Sequence, residues 1–299
     1  MNRRQFLVAA AAAPHALRTS LTRAPVALVT CDLESRLALV DLDAFRIVGS
    51  IPTLPDPRSV ETVGDVALVC HTAVGALSIV DRARVRHVVR GLVEPRYTAA
   101  HPDGVHAFVT DSGRSGVAVV DIRHGVVVDR VKLPGWARHV TLSRDGGTLF
   151  VGLGSASEQV AVVATRPLRH ERNLTPGFLA HDVGVAPDGR LWITSGSARV
   201  LAVAAAQHAA DLAPQHVTFG NGLAFVTSGD SGTLHVQRHD GSVVSDTRVP
   251  IGSYNVQYAH GRVVTASLSH GTLTILDRRG AKLATVQVAK SCHDACVLA

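Results

Sequence analysis

The sequence predicts an all-β fold, a seven-bladed β-propeller whose ring is closed by a C-terminal strand completing the first blade. Three observations predict it. A sixteen-residue unit recurs seven times without gaps, starting at residues 26, 66, 106, 148, 190, 223 and 262. Successive starts lie 40, 40, 42, 42, 33 and 39 residues apart, the spacing of four short strands per blade. The segment that precedes each later hairpin is missing before the first one, and a matching segment ends the chain.

Each unit reads as a β-hairpin. In VALVTCDLESRLALVD (26–41), VALVCHTAVGALSIVD (66–81) and HAFVTDSGRSGVAVVD (106–121), an apolar run gives way to a polar loop and then to a second alternating run. A third short strand follows, as in FRIVGSI or GVVVDRVKL. An inner strand comes before the hairpin and closes on turns such as PDG (102–104 and 187–189) or RDGG (144–147). The inner segments are PRSV (57–60), PRYT (95–98), ARHV (137–140), AHDV (180–183), PQHV (214–217) and SYNV (253–256). CHDA (292–295) is the seventh. Pairing the two ends of the chain in one blade leaves the ring without an open sheet edge.

Composition allows such a core. Hydrophobic residues make up 46% and charged residues 18% of the 299, which argues against general disorder. The net charge is +6 and comes from scattered arginines, since the only lysines are Lys132, Lys282 and Lys290. Without a dense basic run, nucleic acid is not the expected partner. At the N-terminus, Arg3 and Arg4 precede Phe6, Leu7 and a short apolar run ending at Pro14. This is a secretory layout that resembles a twin-arginine export signal. Residues 1–23 are therefore expected to be a cleaved signal and 24–299 a single, monomeric propeller outside the cytoplasm. The apolar run is too short to span a membrane.

The units LVTCDLESRLALVD and FVTDSGRSGVAVVD resemble the YVTN repeat over essentially all of 24–299. The resemblance implies a YncE-like propeller and leaves the activity open, because one fold serves many functions. The position of the repeat's asparagine is here Cys31, His71, Asp111, Leu153, Ser195, Ser228 and Ser267.

Aligning the inner segments gives two polar columns. The first holds Arg58, Arg96, Arg138, His181, Gln215, Tyr254 and His293; the second holds Ser59, Tyr97, His139, Asp182, His216, Asn255 and Asp294. Inner strands start at one mouth of the central channel. Three arginines on consecutive blades, facing the pairs His181–Asp182 and His293–Asp294, suit a small anionic ligand or partner held by guanidinium groups. The ligand-binding residues expected there are Arg58, Arg96, Arg138, His139, His181, Asp182, His216, Tyr254, Asn255, His293 and Asp294. The alternative is a divalent metal, zinc, calcium or copper, drawn from His139, His181, His216 and His293 with Asp182 and Asp294, the expected set being His181, Asp182, His216 and His293. AHDVGVAPDGRLWIT (180–194) resembles the repeat of propeller lyases, which implies a metal-dependent lyase; a lactonase-type hydrolase is the related option. Cys31 and Cys292 should lie side by side in the first blade and form a disulfide in an oxidising compartment. A second arrangement stays open, a copper or zinc site drawn from Cys31, Cys70, His71, Cys292 and His293.

Overall fold

The structure is a computed structural model, and it describes residues 25–154 and 157–298. The expected signal at 1–23 lies outside the described residues. Seven four-stranded antiparallel sheets follow one another as blades around a channel. Blade 1 orders its strands, from inside outward, as Ala295–Leu298, Val26–Cys31, Arg36–Asp41 and Arg46–Pro52. The closing strand pairs antiparallel with the first, Val26 opposite Leu298 and Val29 opposite Ala295. The ring is thus closed by the C-terminus, as the missing segment requires.

The core lies between blades. Val26–Cys31 is buried at all six positions, because a strand in the middle of a blade covers an apolar surface on each side. Val29 packs toward Val264, Leu273 and Ile275 of blade 7. Leu28, its chain neighbour, packs toward Ala67, Val69 and Val80 of blade 2. The period of two sends alternate side chains to opposite seams.

Polar stitches join the inner strands at the mouth. The threonine hydroxyl in the run Val-Thr donates to the carbonyl of the first-column residue in the next blade. Thr30 reaches Arg58 at 2.9 Å and Thr110 reaches Arg138 at 2.6 Å. Thr194 bonds the Gln215 carbonyl and Thr227 the Tyr254 carbonyl in the same way. These bonds satisfy carbonyls that the short inner strands leave unpaired. Cys70 and Gly152 hold the threonine position in blades 2 and 4. Among the described residues, no helix is long and apolar enough to cross a membrane.

Candidate functional site

The two polar columns sit at different depths. Ser59, Tyr97, Asp182, His216, Asn255 and Asp294 line a central cavity of about 460 Å³, while Arg58, Arg96, Arg138 and His181 do not line it. The second column therefore forms a layer across the channel. The first column lies on the mouth side of that layer.

Three imidazoles converge where the two columns meet. His139, His181 and His216 begin the inner strands of blades 4, 5 and 6, and each offers a nitrogen within 4.8 Å of the others. Ring centroids are 4.4 Å apart for His139 and His181, 4.7 Å for His139 and His216, and 5.6 Å for His181 and His216. His139 is only 1% exposed, and neither of its ring nitrogens has a hydrogen-bond partner. Burial, followed by the charges of His181, His216 and Arg138, holds its pKa well below the usual histidine range. His139 is thus a neutral imidazole, the form that ligates metals. The Asp182 carboxylate lies 3.4 Å from His216 Nδ1 and accepts the Val217 amide at 3.1 Å. This sets a carboxylate beside Nδ1 of the His216 ring, the kind of neighbour that can orient a ligating imidazole. Three imidazole donors suit zinc or copper and do not suit calcium, which takes oxygen ligands.

Two glycines make room for this cluster. Gly196 has φ +64°, and a Cβ there would come within 2.5 Å of the His181 Cβ. At Gly152 an added Cβ would sit 3.1 Å from the His181 carbonyl oxygen. That is the carbonyl a threonine at this position would bond if blades 4 and 5 were stitched as blades 1 and 2 are.

The sequence-based metal set was His181, Asp182, His216 and His293. The structure brings His181 and His216 together with His139, and sets Asp182 behind His216. His293 is elsewhere. It contacts Asn255, whose Nδ2 donates to its carbonyl at 2.9 Å. Burial and then the neighbouring Arg58 push its pKa down to about 3.

The arginines are less alike than their alignment suggests. Arg58 pairs with Asp56 at 3.0 Å and Arg96 pairs with Glu94. Among the described residues, Arg138 has no carboxylate partner. Its guanidinium lies 5.9 Å from the Trp136 ring centroid, and that of Arg96 lies 5.2 Å from the same centroid. Tyr97, whose hydroxyl pKa is raised by burial, packs 4.2 Å from the His139 ring centroid. Tyr254 turns away from the others and donates its hydroxyl to Asp230 at 3.1 Å.

Cys31 and Cys292, the pair expected to form a disulfide, are fully buried free thiols. Strand pairing does place them in contact, and the hydrogen bond between them lowers the Cys31 pKa and raises that of Cys292. The other cysteine arrangement is not assembled. His71 holds Pro55 O with Nδ1 at 3.0 Å and Ser78 Oγ with Nε2 at 2.9 Å, so neither nitrogen is available. Burial pushes Cys70 up to about 12.

Sequence reasoning counts His139 among the imidazoles that could hold a metal but does not place it in the expected set of four, although ARHV, AHDV and PQHV belong to consecutive blades. It also passed over Trp136, Asp56 and Glu94. The last two were visible as acids two residues before an arginine, in DPR and EPR.

No family model and no curated protein matches this chain. Solved structures do. The chain is similar to Kuenenia stuttgartiensis hydrazine synthase, with TM-score 0.66 and 15% identity over 80% of this chain and 88% of that one. It is similar to a functionally unknown protein from Desulfotomaculum acetoxidans DSM 771, with TM-score 0.79 and 11% identity over 91% and 98% of the two chains. A third is the dihydro-heme d1 dehydrogenase NirN in complex with DHE, with TM-score 0.64 and 11% identity over 91% and 74%. At these identities the likeness shows the propeller fold alone.

Proposed function

We propose that this chain is an exported propeller that binds a small anionic ligand at the His139–His181–His216 mouth, on a zinc or copper ion. The observation that carries the reading is His139, a buried neutral imidazole with both nitrogens unpartnered, set among two others within 4.8 Å. A buried polar ring without partners is costly, and a metal satisfies it. A metal cation adds to the positive charge of Arg58, Arg96 and Arg138, and a bound anion offsets both, so the anion favours the metal and the metal favours the anion. Arg138, without a carboxylate of its own, is the guanidinium left to hold the anion. Arg58 and Arg96, tied to Asp56 and Glu94, set the field around it. Export is part of this proposal and rests on Arg3 and Arg4.

A second reading is favoured by the number of ligands. Three protein donors leave one position of a tetrahedral ion open, as in catalytic zinc sites. Bound there, zinc would polarise a carbonyl or activate water, which is the chemistry of a lyase or a lactonase-type hydrolase.

The test is metal content and anion binding in one series. The purified protein is expected to hold about one equivalent of zinc or copper, and His139→Ala to lose it. Phosphate and acetate should alter Trp136 fluorescence, since the other tryptophan, Trp192, is fully buried. Arg138→Ala should retain the metal and bind the anion about 10- to 100-fold more weakly. A protein that takes up neither metal, or an Arg138→Ala variant that binds anions like the wild type, overturns the proposal.

A further inference from the structure

On blade 3 the fold gathers cations that the sequence keeps apart. Arg114 stands in the turn between the strands His106–Asp111 and Gly116–Asp121, while Arg130 and Lys132 lie at the end of the outermost strand, Val126–Lys132. With Asp111, and with Val117 and Val131 as the apolar part of the lining, they form a groove of about 510 Å³. No residue of this groove lines the central cavity, and it contains no histidine.

Three positive charges face one negative charge there, a surplus of two. Asp111 lies 3.5 Å from Arg114 and 3.8 Å from Arg130, and its oxygens are already engaged by the amides of Val93 at 3.1 Å and Glu94 at 2.9 Å. The cationic side chains are held in place without being neutralised. Arg130 Nη2 donates to the Gly91 carbonyl at 2.9 Å, and Lys132 Nζ to the Arg114 carbonyl at 2.8 Å. This second tie does not require a charge. At the same position of blade 7 the neutral Gln287 donates to the His270 carbonyl at 3.0 Å. The ammonium of Lys132 therefore answers to something other than the turn it fastens. Like charges brought together cost stability unless an anion offsets them. The Arg114 and Arg130 side chains are 52% and 38% exposed, so an anion can reach both.

We propose that this groove is a second anion site, distinct from the mouth and independent of any metal, which takes a phosphate monoester on Arg114, Arg130 and Lys132. Such a group carries about −1.5 to −2 charges at neutral pH, which matches the surplus, whereas a carboxylate carries one. Guanidinium groups meet phosphate oxygens with paired N–H bonds, and the lysine adds a point charge. The groove is larger than a phosphate group, so the carbon skeleton that bears the phosphate lies against Val117 and Val131.

The mouth also attracts anions, so the test uses the full chain carrying Arg138→Ala, in which that site is weakened. Calorimetric titration with glycerol 3-phosphate is expected to show one site, and glycerol to show none. Adding Arg114→Ala should weaken binding about 10- to 100-fold, Arg114→Lys should recover part of that loss, and Arg114→Glu should abolish binding. Vesicles containing phosphatidic acid present the same group as a lipid headgroup. Co-sedimentation that disappears with Arg114→Glu makes a membrane the source, and binding of glycerol 3-phosphate alone makes it a soluble phosphate ester. Metal content and the Trp136 response report on the mouth, so a failure there leaves this test intact. A chain that binds neither glycerol 3-phosphate nor the vesicles, or an Arg114→Glu variant that binds either as its parent does, overturns the proposal.

Discussion

His181–Asp182 and His293–Asp294 are the same dipeptide at the same place in two copies of one repeat, blades 5 and 1. Their carboxylates even make the same bond, accepting the amide of the next blade's inner strand at 3.1 Å from Val217 and 3.0 Å from Val60. Their surroundings differ. Blade 5 stands between His139 of blade 4 and His216 of blade 6, so its pair joins a cluster of imidazoles. Blade 1 stands between Asn255 of blade 7 and Ser59 of blade 2. Its histidine is left among arginines with a pKa pushed down to about 3, and its aspartate is buried with a pKa pushed up to about 7. In a ring of repeats, a residue's chemistry is set by the two blades beside it as much as by its own blade.

The largest way to break the comparison is to remove the segment that carries the blade 1 pair. Deleting 292–299 strips the inner strand from blade 1, including Ala295, Cys296, Val297 and Leu298, each no more than 2% exposed. Burying one large apolar side chain contributes roughly 1.5–3 kcal/mol, and a whole domain is stable by only about 5–15 kcal/mol. The inner edge of the Val26–Cys31 strand would also be opened. The truncated chain is expected to lose its cooperative thermal transition and to aggregate, as read by circular dichroism and light scattering. The double substitution of His181 and Asp182 by Ala should melt cooperatively. A truncated protein that does so too would mean that the closing strand is dispensable.

The next effect is the pH dependence of stability, which the blade 1 pair should govern. Burial raises Asp294 to about 7, against about 3.9 in an unfolded chain. Between those values the folded state holds a proton that the unfolded state does not. The resulting stability is complete below about pH 4 and is lost as pH rises through 7. Three units correspond to roughly 4 kcal/mol as an upper bound, shared with Glu61, which burial also raises to about 7. His293 works in the opposite sense. Its lowered pKa makes it lose stability as pH falls from about 6.5 toward 3. Urea unfolding of Asp294→Asn between pH 5 and 8 should therefore show a clearly flatter alkaline slope than the wild type. An unchanged slope would show that Asp294 titrates as an ordinary carboxyl.

The propeller was legible because its signal is redundant. Seven hairpins with one spacing outvote any single irregular unit, such as the step of 33 residues, and the absent first inner strand pointed to CHDA. The polar columns were legible too, since strand position follows from the repeat. Depth and partnership were not. Alignment put Arg58, Arg96 and Arg138 in one class, but the acids two residues before the first two remove them from it. It singled out the His-Asp pairs, while the third imidazole came from His139, whose neighbour in the chain is an arginine. The surroundings of Glu61 escaped because that residue stands alone in its column. Only closure of the ring brings it near Asp294, 233 residues away in the chain.

The finest test asks whether Asp182 acts on the metal through His216 or merely on the backbone. Both aspartates bond an amide in the same way. Asn in place of Asp keeps an oxygen for the Val217 amide. It removes the negative charge that makes the His216 ring a stronger donor. Substituting such an orienting carboxylate usually weakens a metal about 10- to 100-fold, or about 1.4–2.7 kcal/mol. Asp182→Asn is therefore expected to weaken zinc by that factor in competition with a chelator, with a melting temperature close to the wild type in the metal-free state. Asp294→Asn should leave zinc affinity unchanged, because no imidazole of the cluster rests on it. Equal zinc affinity in the two variants would reduce Asp182 to a backbone anchor. The two His–Asp pairs would then be equivalent, and the neighbouring blades would have made no difference.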